Sequence, residues 1–273
     1  MKIYISIDME GMPGTFNWEH EKTDRPAVRR NITRHVQTVL EAVLATPQAA
    51  AIDGIVIADS HSAGDNLDYS ITALDPRVEL ISGYPRPCYM MPDFSADYSQ
   101  VFLLGYHSGV GALRGNMDHT YSSSRIHKIF INSKPMNETL INAAYAGHWG
   151  VPVSLVSGDL ALASELKVPM PWLEFVTTKK ALSRSAARNY SQASVDAAVR
   201  QAVANALAKP SNSLPVYKFD APITLKIEFM TTANADQACL MPHVKRLDGR
   251  TIEYREDDYA VLFEAIMALV TLT

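Results

Sequence analysis

The sequence predicts an α/β fold: a largely parallel sheet flanked by helices, with a smaller C-terminal α+β unit. Three observations predict it. Short runs such as "GIVIAD" and "VFLLG" are apolar at nearly every position, which marks strands covered on both faces, as in parallel sheets. Stretches with apolar residues three and four apart lie between them. Several of the apolar runs also end in acids or histidines. At 273 residues, 47% hydrophobic and 20% charged, the chain can bury one large core or two modest ones.

The elements follow in order. The run Ile3-Tyr4-Ile5-Ser6-Ile7 is β-branched and apolar, and it leads into Asp8 and Glu10. From Gly11 to Pro26 the chain reads as polar and irregular. A helix is expected from about Ala27 to Ala45, because Val28, Ile32, Val36, Val39, Leu40 and Val43 form one buried stripe. "GIVIADSH", "VFLLGYH" and "IHKIFIN" read as strands, and "NETLINAAYAGHW" as a helix with Gly150 and Pro152 just beyond it. "VPVSLVSGD" is one more buried strand ending in an acid. In the last third, "SVDAAVRQAVANALAK" is a helix that Ser194 can cap and Lys209-Pro210 stops. "ITLKIEFM" alternates, with Ile223, Leu225, Ile227 and Phe229 on one face. A final helix from about Asp257 carries Val261, Leu262, Ile266 and Leu269. The division expected is a metal-binding α/β catalytic domain over 1–190 and a smaller α+β domain over 191–273, with a role in oligomerisation or substrate access.

Composition excludes several function classes. The net charge of -4 and a pI near 6.1 create no global positive field for nucleic acid or an anionic membrane. Aromatics are not interleaved with basic clusters. The two cysteines, Cys88 and Cys239, stand far apart and outside any CxxC spacing, so neither a disulfide framework nor a thiolate zinc site is expected, and both read as small buried hydrophobes. The apolar start holds Ser6, stops at Asp8 and has no small-residue cleavage site, so it does not read as a signal sequence. No run of about twenty apolar residues suits a bilayer, and a cytoplasmic protein is expected.

In open α/β sheets, ligands bind outside the carboxyl ends of the strands. There the first strand delivers Asp8 and Glu10, the second Asp59-Ser60-His61, and the third Tyr106-His107. Carboxylates and neutral imidazoles form the mixed oxygen and nitrogen set that zinc accepts. Asp8 and Glu10 are two apart, so both can face one site, where a cation would relieve their repulsion. Each residue alone is as well explained as a helix or loop cap; the coincidence on one edge is not. His119, in "GNMDHTYSS", lies in a loop after the His107 strand and suits proton transfer at neutral pH. Glu138 opens a helix, where an acid commonly offsets the dipole. His20, His35, His127, His148 and His243 read as structural, His20 and His35 as solvated.

"IYISIDMEGMPG", "IADSHS", "FLLGYHS", "MDHTYSS" and "FINSKPMNETLINAAYAGHWGVPVSLVSGD" together closely resemble the D-aminopeptidase DppA family, the M55 metallopeptidases. The resemblance spans nearly the whole chain and becomes fainter towards its end. It implies a dinuclear zinc site on Asp8, Glu10, His61, His107 and Glu138, with Asp8 as the bridge and two zinc ions per chain. It places the catalytic histidine on His119. It also implies release of an amino-terminal D-residue from short peptides or amides. Ring-shaped homo-oligomers, such as a decamer, would enclose the active sites.

A pair of zinc ions would lower the pKa of a shared water toward roughly 7, and the hydroxide would attack the carbonyl. His119 would then stabilise the oxyanion or pass a proton to the leaving amine; an acid/base role is favoured over a nucleophilic one, because the metals already supply a nucleophile. Glu10 or Asp159 would meet the substrate's amino group, although Asp159 also reads as a plain helix cap. Two other readings remain open at this level: a dimetal hydrolase of another ester or phosphate, and a non-catalytic peptide-binding transport partner. Two histidine ligands and the lack of a Gly-rich phosphate loop weigh against the phosphate reading.

Overall fold

A computed structural model describes all of residues 1–273. The chain runs β1 (Lys2–Ile7), α1 (Trp18–Thr23), α2 (Arg25–Leu44), β2 (Gly54–Asp59), β3 (Val78–Ile81), β4 (Gln100–Tyr106), β5 (Ile126–Ile131), β6 (Lys134–Met136) and α3 (Glu138–His148). It continues through β7 (Val153–Asp159), α4 (Leu160–Leu166), β8 (Glu174–Ser183), β9 (Ala186–Asn189), α5 (Gln192–Ala208), β10 (Ile223–Phe229), α6 (Thr232–Ala238), β11 (Lys245–Arg246), β12 (Thr251–Glu256) and α7 (Tyr259–Leu272).

Two sheets result. The first has seven strands in the order β3-β2-β1-β4-β7-β8-β9, parallel except for the terminal β8–β9 pair. Its central strands are buried at nearly every position, as their unbroken apolar sequences require. Ile3, Ile5 and Ile7 are fully buried on one face, each contributing roughly 1.5–3 kcal/mol. They pack under α2 and α5, whose stripes Val28-Ile32-Val36-Val39 and Val195-Val199-Val203 complete that layer. On the other face, Tyr4, Val101 and Leu103 meet α3 and α7 in a core shared with the second sheet.

The second sheet has five antiparallel strands in the order β11-β12-β10-β5-β6. Ile223, Leu225, Ile227 and Phe229 of β10 alternate inward as their spacing predicts. A boundary between 1–190 and 191–273 does not part the two sheets. β5, from the first segment, pairs with β10 from the second and carries β6 on its other side, and α5, from the second segment, covers the parallel sheet.

Several local expectations are corrected. α5 starts at Gln192, because Ser191 rather than Ser194 is the cap: its side chain accepts from the Ser194 amide. His35 is fully buried against Ser157, not solvated. Cys88 and Cys239 are free and only partly buried. No helix is long and apolar enough to cross a membrane.

Candidate metal centre

Parallel pairing puts the ends of β1, β2 and β4 side by side, with Ile7 in register with Asp59 and with Leu104. The residues just beyond those ends therefore gather at one edge. Asp8, Glu10, His61 and His107 all meet there, buried to 9% exposure or less. The link from β4 to β5 brings His119 to the same place. Glu138 arrives from the start of α3, where Asn137 caps the helix by accepting from the Leu140 amide.

The six side chains form two groups, Asp8-Glu10-His61 and His107-His119-Glu138, and within each group the donor atoms lie within 4.8 Å of one another. Asp8 joins the groups. Its Oδ1 is 3.1 Å from His61 Nδ1, and its Oδ2 is 3.4 Å from His107 Nε2. Glu10 Oε2 lies 3.2 Å from His61 Nδ1, and Glu138 Oε1 lies 3.4 Å from His107 Nε2. His119 Nε2 stands 3.8 Å from Glu10 and 3.7 Å from Glu138, its ring stacked 4.2 Å from that of His107.

Backbone contacts set the aim of two imidazoles. His107 Nδ1 donates to the Ser108 carbonyl at 3.0 Å, and His119 Nδ1 donates to the Met117 carbonyl at 2.9 Å. In a neutral ring this leaves each Nε2 as an acceptor turned toward the acids. His61 is reversed, with Nδ1 toward Asp8 and Glu10. Its Nε2 lies 3.4 Å from Glu21 Oε1, too far for a good hydrogen bond but close enough for attraction.

Electrostatics make the case for cations. Burial first, and then the charge of Glu10, push Asp8 up to about 7. Burial also pushes Glu10 upward, but the neighbouring His61 and His119 outweigh it and hold the carboxyl well below its usual value. Burial opposes charge on His107 too, yet Glu138 and Asp8 raise it to about 10. His119 is lowered, by burial and then by His107. Asp8 Oδ2, Glu10 Oε2, His61 Nε2 and His107 Nε2 are all buried without a hydrogen-bond partner. Orphaned buried donors and acceptors are costly, and four in one cleft fit a divalent-cation site. The donor set, three carboxylates and three imidazoles, suits zinc.

The supporting residues were not evident in the sequence. Lys179, fully buried on β8, donates to the backbone carbonyls of Glu10, Met12 and Thr15. Burial lowers its ammonium to about 7. Thr178 donates to the Gly11 carbonyl at 2.6 Å, so the edge of the sheet grips the loop that carries Glu10. Gly11 itself passes so close to β4 that an added Cβ would lie 1.8 Å from the Tyr106 carbonyl oxygen. The stretch read as irregular contains α1, which puts Trp18 and Glu21 against the centre; Trp18 Nε1 donates to Glu10 Oε1 at 2.8 Å. Asn17 ahead of Glu19 and Glu21 was the available signal, a capped start with acids in the first turn. Asp59 and Asp159 serve the backbone instead. Asp59 accepts from the Asn66 and Leu67 amides, and Asp159 caps α4 by accepting from Leu162.

The centre opens into a pocket of about 500 Å³. Known proteins resemble this chain along nearly its whole length. The D-aminopeptidase profile, peptidase family M55, matches residues 1–268. The D-aminopeptidase of Bacillus subtilis (strain 168) is 29% identical over 276 residues, covering 100% of this chain and 97% of that protein. The solved structure of the Zn-dependent D-aminopeptidase DppA from Bacillus subtilis, a self-compartmentalizing protease, matches with a TM-score of 0.91. The two are 26% identical, and the match covers 100% of this chain and 97% of the other. With the profile running through all but the last few residues, the chain belongs to the D-aminopeptidase family of M55 metallopeptidases.

Proposed function

We propose that this chain is a zinc aminopeptidase that releases amino-terminal D-residues from short peptides or amides. Asp8, Glu10 and His61 would hold one ion and His107 and Glu138 a second, with Asp8 bridging. The observation that carries the ligand assignment is the split of Asp8, one oxygen toward His61 and the other toward His107. Zinc bound there would supply Lewis acidity toward the scissile carbonyl and a water of lowered pKa.

The side chains do the rest. Trp18 and Lys179 fix Glu10 from opposite ends, one at the carboxylate and one at the backbone. His119 keeps Nδ1 on the Met117 carbonyl, which leaves Nε2 to take a proton and return it to the leaving amine. The substrate's ammonium meets the carboxylates on the α1 side, Glu10 and Glu21, rather than the buried Asp159. A homo-oligomer that encloses its active sites, in a ring such as a decamer, is part of the same reading, supported by the self-compartmentalizing relative.

The test is elemental analysis joined to an amide and dipeptide panel in both chiralities. About two zinc ions per chain are expected, with D-substrates cleaved, activity lost to a chelator and restored by zinc. His119→Ala is expected to keep its zinc and lose hydrolysis by roughly 10²–10⁴-fold. Loss of zinc along with activity would instead put His119 among the ligands, as its place beside Glu138 also allows.

A further inference from the structure

The pocket at the metal centre continues past it. Ser62, Tyr89 and Tyr121 line both that pocket and a larger groove of about 870 Å³ between the Tyr84–Arg86 loop and α7. α1 contributes Trp18, Glu21 and Lys22 to the pocket and nothing to the groove. The groove is the more apolar of the two, walled by Tyr84, Met267 and Val270, among others.

Charge is divided along this path. The pocket holds the carboxylates of Glu10, Glu21 and Glu138. The groove holds Arg125, which donates to the Val270 carbonyl at 3.2 Å and meets no carboxylate. The groove's other arginine, Arg86, is spent on backbone carbonyls, including those of Ser60 and Tyr89. Its acid, Glu264, is engaged by the Cys88 amide and thiol.

We propose that the groove is the subsite for the part of the substrate beyond the scissile bond, taking apolar side chains against Tyr84, Tyr89 and Met267 and the terminal carboxylate on Arg125. This rests on the peptidase reading above and adds its substrate class. A zwitterionic peptide fits in one direction, ammonium toward the acids and carboxylate toward Arg125. The two parts of the path meet at Tyr121, which lines both the pocket and the groove and whose amide donates to Glu138 Oε1 at 2.6 Å.

The experiment compares zinc-loaded enzyme on D-alanine amide, on D-alanyl-leucyl-leucine, and on the same tripeptide amidated at its carboxyl end. Wild type is expected to favour the free acid over its amidated form. Arg125→Gln is expected to raise KM for the free acid about fivefold with kcat unchanged, the size of one partly exposed charged contact, and to erase that preference. Ala268→Trp, from an exposed position on α7 in the groove, is expected to cut kcat/KM for both tripeptides by about tenfold or more and to spare the small amide. The proposal is overturned if either substitution affects amide and tripeptides alike, or if Lys22→Ala raises KM in place of Arg125→Gln. It is also overturned if Ala268→Trp changes the assembly's mass by light scattering while tripeptide cleavage holds, which would make the groove a contact between copies. Failure of wild type to cleave D-alanine amide would remove the peptidase reading, and this subsite with it.

Discussion

The two sheets treat their side chains in opposite ways. In the parallel sheet, β1, β4 and β7 are buried on both faces; they hold a few paired neutral polar groups such as Ser6 and Ser157, and the ionisable Asp8, His61 and His107 sit beyond the strand ends. In the antiparallel sheet, β10 buries every second residue and turns Thr224, Lys226 and Glu228 toward the partly exposed face. Polar residues there are spread along the strand and paired locally, as Glu228 is with Arg250 at 2.7 Å. A dry sheet concentrates its polar chemistry at one edge; a half-wet sheet disperses it. The second sheet serves the site indirectly, because the β5–β6 hairpin leads into α3 and so delivers Glu138.

This contrast can be broken by substitution. Asp8→Asn, at the edge of the parallel sheet, removes one charge from the residue that links both groups of donors. Hydrolysis is expected to fall by about 10³-fold or more, with zinc content reduced, while the melting curve stays cooperative. Ile227→Ala, in the antiparallel sheet, should do the reverse. It empties a fully buried position at a cost of about 4 kcal/mol in urea unfolding, with kcat close to wild type under folding conditions. A loss of kcat in Ile227→Ala as large as in Asp8→Asn would show that the sheets are not separate in function.

The smallest expected effect tests the dryness of the parallel sheet by pH. Burial lowers His35 to about 4 from an ordinary 6.5. The unfolded chain therefore binds a proton between pH 6.5 and 4 that the folded chain refuses. Stability is highest above 6.5, declines through that window, and is lower by about 3 kcal/mol below 4. His35→Gln, which can keep the bond to Ser157, should flatten this part of the profile relative to wild type. Parallel profiles for the two proteins would mean that the imidazole is not held dry.

What could be read from the sequence follows the same division. The parallel strands were legible because unbroken apolar runs have few other uses, and four of the donors were legible because they end such runs. Glu138 was not, since an acid at a helix start already has an ordinary purpose; the resemblance to the family supplied it. Glu21 and Trp18 were missed because α1 is six residues long and shows no stripe. Lys179 was not singled out, since nothing in "TTKKALS" reveals that three distant carbonyls surround it. His35 was misjudged because a single imidazole on an apolar stripe gives no sign of a serine waiting across the layer.

The tight passage at Gly11 sets a rule for anyone redesigning this catalyst. Even one methyl group there would strike the main chain of the neighbouring strand, so the floor beneath the candidate metal centre has no freedom to drift. New substrate preferences must be sought at the rim instead, where Tyr84 and α7 have solvent on one side and can be varied without disturbing the buried carboxylates and imidazoles.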